Sequence, residues 1–504
     1  MIISYDLGTG GNKASLFDND GSRIASVFES YPTLYPAKGR HEQRPADWLD
    51  AISKSTHLLL TAAKARKISA KEISCLAISG HSLGCIPLDA DGNLLRETTP
   101  IWSDRRAELE SAYFFENSFD QNVWYNRTGN GFPAAHYTLF KVLWYKKNEP
   151  ELFTKINKIV GTKDYINYYL TGVLATDYSY ASGLGAYRLT DWAYDNEILQ
   201  ASGLPPELFP PIVPSTKILG TIKPDIATKL GLAPTTQVAA GGVDNSCMAL
   251  GAGCFRTSQL YASLGSSSWI AVTDTKPLRD NIAKPYVFAH VVPTQFVSAL
   301  SIFSSGSTYR WIRDQLCRDL QIQSQHDQTD VYELMLNEAQ DSPLGSNGVA
   351  FNPSLGGGTP LDGTEIRGAF LGLDLSHTRA DMIRACMEGI ALNLRVVLDA
   401  FRKLSNVQDT MNIVGGGAKS QLWRQIYADT LNINIAKINI GQDAAALGAA
   451  ALAAVGSGLW NNFDQIDNIL TIDDQQTPQK QNTERYDQLL KQFQQDANFL
   501  AKRS

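Results

Sequence analysis

Apolar and polar positions alternate with a short period at the start of the chain. Ile2 to Leu7 reads as a strand, Gly8 to Asn12 as a turn, Lys13 to Phe17 as a returning strand, and Asp18-Asn19-Asp20-Gly21 as a second turn. Pro45 then opens a stretch around Trp48 to Ala65 whose apolar residues recur at helical spacing. A short apolar strand, Ile73 to Ile78, follows. Hairpin, helix and parallel strand in that order predict an α/β domain with a mixed sheet.

Leu204 to Pro214 carries Pro205, Pro206, Pro210, Pro211 and Pro214, so it cannot be regular throughout and reads as a surface connection. Val238 to Gly242 is strand-like again. Small residues at Gly251 to Cys254 precede a fresh strand, which sets the expected domains at 1–252 and 253–504. That strand repeats an earlier pattern: Leu260 to Ser268 reads LYASLGSSS and Ile3 to Gly11 reads ISYDLGTGG. Apolar residues, then L-G-(S/T), then a small-residue turn suggest one domain plan used twice.

Further on, Thr378-Arg379-Ala380-Asp381 forms a capping box opening a helix through Leu404. Met411 to Val414 is a short strand, Gly415-Gly416-Gly417 the turn after it, and Ser420 the start of another helix. An alanine-rich helix runs from about Asp443 to Val455. The last segment, from Gln475, places Tyr486, Leu489, Leu490 and Phe493 at helical spacing and predicts a docked helix.

Composition narrows the class. At 504 residues, 43% of them hydrophobic, the chain can fill two large cores. A net charge of -6 disfavours nucleic acid or an anionic membrane as partner, but leaves room for ATP at a local positive site. Cys75, Cys85, Cys247, Cys254, Cys317 and Cys386 form no CxxC pair and are expected to be reduced and buried. MIISYDLGTG has no signal-peptide pattern and no apolar run of about 18 residues occurs, so the expected compartment is the cytoplasm.

Several segments carry candidate chemistry. In Asp6-Leu7-Gly8-Thr9-Gly10-Gly11-Asn12-Lys13, glycines let backbone N–H groups approach phosphate oxygens, and Thr9 adds a hydroxyl. Asp6 could hold Mg²⁺ through water and Lys13 could meet a terminal phosphate; an ordinary glycine-rich hairpin would read the same. Leu264-Gly265-Ser266-Ser267-Ser268 offers a second phosphate clamp. Val414 to Ser420, VGGGAKS, is a strand–glycine–helix junction that could admit a base or phosphate. Neither a Walker loop nor a GxGxxG fingerprint is present. Asp244, in GGVDN, is either a helix cap or a carboxylate able to take a proton from an attacking hydroxyl. Trp102-Ser103-Asp104-Arg105-Arg106 suits a sugar ring and its hydroxyls, or is a surface salt-bridge cluster. His81 is a sugar contact or a structural histidine.

In this order DLGTGG, WSDRR, GGVDN, SLGSS and VGGGAKS resemble the FGGY carbohydrate kinase family, nearest its xylulokinase-like branch. Thr138 to Tyr145 is similar to the family's (S/T)-x-x-K-x-x-W segment, and Gly368 to Leu373 with Met387-Glu388-Gly389 to another. The resemblance implies two actin-like (ribonuclease-H-like) domains with a nucleotide cleft between them, ATP and Mg²⁺ as cofactors, and a sugar held chiefly by the N-terminal domain. It implies Asp244 as general base, with Asp6 and Asp244 near the metal. Gly8, Thr9, Gly10 and Lys13 fall on the phosphate side, with Gly265, Ser266, Gly416, Gly417 and Ser420 as further nucleotide contacts. His81, Trp102, Asp104, Arg106 and Asn245 fall on the sugar side. A ketopentose such as xylulose is the favoured substrate, and base rate alone suggests a homodimer. Three positions depart from the pattern: Leu83 stands where xylulokinases carry a sugar-binding histidine, Gly356 to Pro360 lacks two charged residues, and His136 precedes the (S/T)-x-x-K-x-x-W segment.

Overall fold

The computed structural model describes residues 1–357 and 366–502. Gly358, Thr359 and Pro360 of the substituted GGGTP segment lie outside them.

The chain divides into two compact units. The first comprises residues 1–257, 273–298 and 443–470; the second comprises 258–272, 299–442 and 471–504. Each is built on its own mixed sheet.

In the first unit, β1 (Ile2–Leu7), β2 (Gly11–Phe17) and β3 (Arg23–Ser30) form an antiparallel meander. Helix α1 (Pro45–Ala65) follows, and β4 (Cys75–Gly80) returns parallel to β1. Two further helices, α2 (Thr138–Asn148) and α3 (Thr162–Thr171), precede β5 (Ile218–Thr221), β6 (Gln237–Ala239), the two-residue β7 (Gly242–Val243) and helix α4 (Asp244–Gly251). The strand order is β5-β6-β4-β1-β2-β3, with β7 also paired to β4. Helix α1 starts at a proline, which has no N–H to leave unsatisfied, and turns Trp48, Ile52, Leu59 and Ala63 onto the sheet. Each large apolar side chain so buried contributes about 1.5–3 kcal/mol.

The second unit repeats this plan. Strands β8 (Leu260–Leu264) and β9 (Ser268–Asp274) form the hairpin, and β10 (Thr410–Val414) lies parallel to β8. Strand β11 (Asn434–Ile438) lies parallel to β10, and β12 (Ile472–Gln476) antiparallel to β11. The order β9-β8-β10-β11-β12 matches β2-β1-β4-β6-β5 strand for strand and direction for direction. The duplication expected from the two L-G-(S/T) hairpins is thus present in topology, and this is the actin-like plan used twice.

The helix Ala444–Gly456 lies between β11 and β12 in sequence but packs in the first unit, on α4, β1 and β4. Its small side chains permit unusually close approach. A Cβ on Gly448 would stand 1.9 Å from the Cys247 carbonyl oxygen, so glycine is required there. The capping box at Thr378 and Asp381 opens the helix Arg379–Leu404 as expected. The C-terminal helix is Lys480–Ala501, with β12 occupying the start of the segment read as helical. All six cysteines are buried and free. Among the described residues no helix is long and apolar enough to cross a membrane.

Candidate active site

Strand register assembles the first half of the site. Asp6 pairs laterally with Ser79, and Ser79 with Gly242; in the next row Leu7 pairs with Gly80, and Gly80 with Val243. Three parallel strands therefore end side by side, and Asp6 and Asp244 stand at their carboxyl ends, where open α/β sheets bind ligands. Both side chains are half-buried. Burial pushes the Asp6 carboxyl up to about 6, against the Ser79 hydroxyl, which donates at 3.1 Å, and the charge of Lys13. Burial pushes Asp244 up to about 7, with the Asp6 charge adding to the effect and the Asn245 N–H opposing it. Val243 is the N-cap residue of α4, so the Asp244 carboxylate sits one position inside the helix. Its Oδ1 accepts from the Asn245 N–H at 2.9 Å and from Asn245 Nδ2 at 3.3 Å.

The β1–β2 turn is held from three sides. Tyr31 donates its hydroxyl to the Gly8 carbonyl, Gln43 Nε2 donates to the Thr9 carbonyl at 2.7 Å, and Trp102 Nε1 donates to Thr9 Oγ1 at 2.8 Å. The Thr9 hydroxyl, read from sequence as a phosphate contact, thus meets the indole read as a sugar platform. Lys13 forms an ion pair with Asp443, which also pairs with Arg23.

On the sugar side, Asp104 and Arg106 pair with each other: Arg106 Nε and Nη2 reach the two Asp104 oxygens at 2.9 and 2.8 Å. Glu42 takes a further bond from Arg106 Nη2 at 2.5 Å, and the His41 N–H donates to Asp104 at 2.7 Å. Both side chains are at most 1% exposed. Burial alone would raise the Asp104 carboxyl, but the Arg106 guanidinium outweighs it and holds it below its ordinary value. This pair fixes the loop after Ile101; neither charge lies open. Trp102 is half-buried, and His136 stacks on it at 6.5 Å with its Nδ1 2.9 Å from the Trp102 carbonyl. Burial holds His136 neutral, down to about 4. His81 is 1% exposed, edge-on to Trp48 and 3.4 Å from Thr162 Oγ1. Its Nε2 is buried without a partner among the described residues. Leu83 is buried at φ 59°, a left-handed conformation that a bulky residue adopts only where its surroundings enforce it.

The second unit holds a cavity of about 750 Å³. Gly265, Ser266, Gly416, Gly417 and Ser420, five residues picked from sequence, all line it. The Gly306 N–H donates to the Gly265 carbonyl at 3.0 Å, and a Cβ on Gly306 would fall 2.4 Å from that oxygen. Gly415 has φ 97°, and its Cβ would fall 2.6 Å from the Leu264 carbonyl oxygen. The two glycine turns therefore meet back to back at one wall. Tyr309 and Trp423, 4.6 Å apart between ring centroids, supply an aromatic wall. Arg310 also lines the cavity and donates to Ser266 Oγ at 2.8 Å. The Ser420 hydroxyl accepts from the Trp423 N–H and so caps its helix. Tyr309 and Arg310 escaped the sequence reading, and Trp423 reads there only as an apolar-face residue of the helix that Ser420 starts; an aromatic-rich helix after each glycine turn is the available signal.

Family models match both parts of the chain: the N-terminal domain of the FGGY family of carbohydrate kinases over residues 1–251, and the C-terminal domain over residues 260–457. A xylulose kinase from Bacillus subtilis (strain 168) is 32% identical over 467 residues, covering 92% of this chain and 90% of that protein. The chain belongs to the FGGY family. A gluconokinase from the same organism is 28% identical, covering 98% of this chain and 94% of its own length. The crystal structure of a ligand-bound xylulose kinase from Lactobacillus acidophilus superposes with a TM-score of 0.89 at 27% identity, covering 99% of this chain and 98% of that one. This FGGY protein is accordingly a carbohydrate kinase, xylulokinase-like in sequence, and its family uses ATP.

The residues present fit both expected cofactors. The cavity offers glycine-turn backbone for phosphates, an aromatic wall for a base and a volume within the usual range for small-ligand sites. Asp6 and Asp244 are two desolvated carboxylates whose charges disfavour each other, which a Mg²⁺ ion keeping most of its water would relieve.

Proposed function

We propose that this FGGY kinase transfers the γ-phosphoryl group of ATP to a hydroxyl of a ketopentose such as xylulose, with Asp244 as general base. Residues 1–252 hold the sugar and the base, and residues 253–504 hold the nucleotide. The observation that carries the base assignment is the Asp244 carboxyl: half-buried at the strand ends and raised to about 7, it matches the pH at which it must take a proton. Asn245 engages Oδ1 twice, so Oδ2 is the oxygen that receives the hydroxyl proton. Trp102, with His136 behind it, covers the sugar's C–H face. Gly265, Ser266, Gly416 and Gly417 hold the nucleotide, and Arg310 adds positive charge at the Ser266 turn. Lys13, held at the Asp443 carboxylate beside the first turn, is the candidate contact for a terminal phosphate. Asp6 and Asp244 would hold Mg²⁺ through water, and the ion would supply charge neutralisation for phosphoryl transfer.

Xylulose is supported by the xylulose kinase relatives. Gluconate is the second reading, favoured by the gluconokinase relative. ADP release with MgATP, across ketopentoses, aldoses, polyols and sugar acids, tests both. One strongly preferred substrate names the sugar; no stimulation by any of them favours a nucleotide switch without sugar kinase activity.

A further inference from the structure

The loop that carries Asp244 is gripped by a buried polar network. Lys163, fully buried on α3, contacts Asp164 at 2.5 Å and Asp177 at 2.8 Å. Asp177 is also fully buried, and it accepts from the Ser215 hydroxyl at 2.7 Å and from the Ser179 N–H at 2.9 Å. The Ser179 hydroxyl bonds the same Asp177 oxygen. A carboxylate only accepts, so Ser179 must donate its proton there, which turns its lone pairs outward. One of them receives the Val243 N–H at 2.9 Å. Val243 directly precedes Asp244. From the other side, Asn167 Nδ2 donates to the Ala240 carbonyl at 2.8 Å, and the Gly241 N–H donates to the Ser215 carbonyl at 3.1 Å.

We infer that Lys163, Asp177 and Ser179 form a positioning relay for Asp244, fixing the backbone of Val243 so that the carboxylate meets the sugar hydroxyl. The bonds converge on Asp177: the Lys163 ammonium donates to one carboxylate oxygen, and on the other side the Val243 N–H donates to the Ser179 hydroxyl, which donates to the second oxygen. The last two bonds polarise each other, in surroundings where a missing partner leaves a buried polar group unsatisfied. A serine and a charged pair are more than packing requires at this place. Val243 commits its N–H to the Ser179 hydroxyl, although strand β4 lies alongside. The inference rests on the reading of Asp244 as base.

The test uses the full-length protein, with MgATP and xylulose or gluconate as probes, whichever the wild type phosphorylates. Active sites are counted by MgATP binding, so loss of folded protein does not register as slow turnover. Ser179→Ala is expected to lower kcat by about 10- to 100-fold with both KM values within about threefold, the mark of a misplaced catalytic group. Ser179→Thr, which keeps the hydroxyl, is expected to restore most of the rate. Asn167→Ala loosens the same loop from α3 and gives a second measurement where Ser179→Ala does not fold. Unchanged kcat in the folded variant, or a rise in sugar KM alone, overturns the inference. Asp244→Ala run in parallel separates the two failures: if it retains wild-type kcat, the base reading falls; if it is inactive while Ser179→Ala is not slowed, only the relay falls.

Discussion

Lys141 holds Leu83: its ammonium nitrogen lies 2.9 Å from the Leu83 carbonyl oxygen, and 2.7 Å from that of Ile101. Two other residues of the (S/T)-x-x-K-x-x-W segment act in the same region. Thr138 donates its hydroxyl to the Gly84 carbonyl at 3.1 Å, and the Trp144 ring lies 5.0 Å from the Arg106 guanidinium. Positions three apart share one helix face, so α2 fastens the Ser82–Gly84 and Ile101–Arg106 loops along a single edge. Leu83 keeps its left-handed backbone because its carbonyl is captured and its side chain is packed in the core.

Lys141→Met is therefore expected to weaken sugar binding more than turnover. It leaves two buried carbonyls without their donor, at a cost of about 1–3 kcal/mol each where water cannot enter. Sugar KM should rise several-fold with MgATP KM unchanged, and thermal unfolding should begin at lower temperature.

Removal of the Asp244 charge has an opposite effect on stability. Its pKa is raised in the folded state, from an ordinary value of 3.8 to about 7, so between those values the folded protein binds more protons than the unfolded one. Stability contributed at this site is complete below pH 3.8 and is lost as pH rises through about 7. Asp244→Asn should consequently raise the first unit's Tm at pH 8, by roughly 2–6 °C, with the gain vanishing near pH 4. Differential scanning calorimetry at the two pH values checks it.

The same raised pKa predicts the rate profile. With Asp244 as base, kcat should fall on the acid side as the carboxyl protonates, with the limb below about pH 7 because a bound cation favours the carboxylate. Measuring kcat from pH 5 to 9 at saturating MgATP locates that limb.

In the second unit, Trp423→Ala should raise MgATP KM about tenfold or more, the usual loss when a base gives up an aromatic partner. Gly306→Ala should do likewise by a different route, since its Cβ would collide with the Gly265 carbonyl and displace the turn. Sugar KM should stay within about threefold in both, a range that ordinary context effects span. Initial rates over MgATP and sugar concentrations separate the two.

The legible parts of this protein were local. Both L-G-(S/T) hairpins and the Thr378 capping box depend on residues adjacent in sequence, and glycine turns announce themselves. In sequence the Asp104–Arg106 pair reads as a sugar contact or a surface salt-bridge cluster, because its third member, Glu42, lies far back in the chain. Nothing near Asp104 in sequence shows that its oxygens are taken. The helix Ala444–Gly456 was assigned with its sequence neighbours, but its alanine-rich surface is apolar on every side and names no packing partner. For the same reason the Lys13–Asp443 pair could not be foreseen. Lys163 and Asp177 drew no notice, since an isolated lysine or aspartate gives no sign of burial.

The most direct test of the central claim follows the γ-phosphoryl group itself. Labelled MgATP is incubated with xylulose or gluconate and either wild type or Asp244→Ala, while MgATP binding to each is measured in parallel. The account predicts labelled sugar phosphate from the wild type and none above background from the variant, at equal nucleotide affinity. Labelled sugar phosphate at the wild-type rate from Asp244→Ala would contradict it.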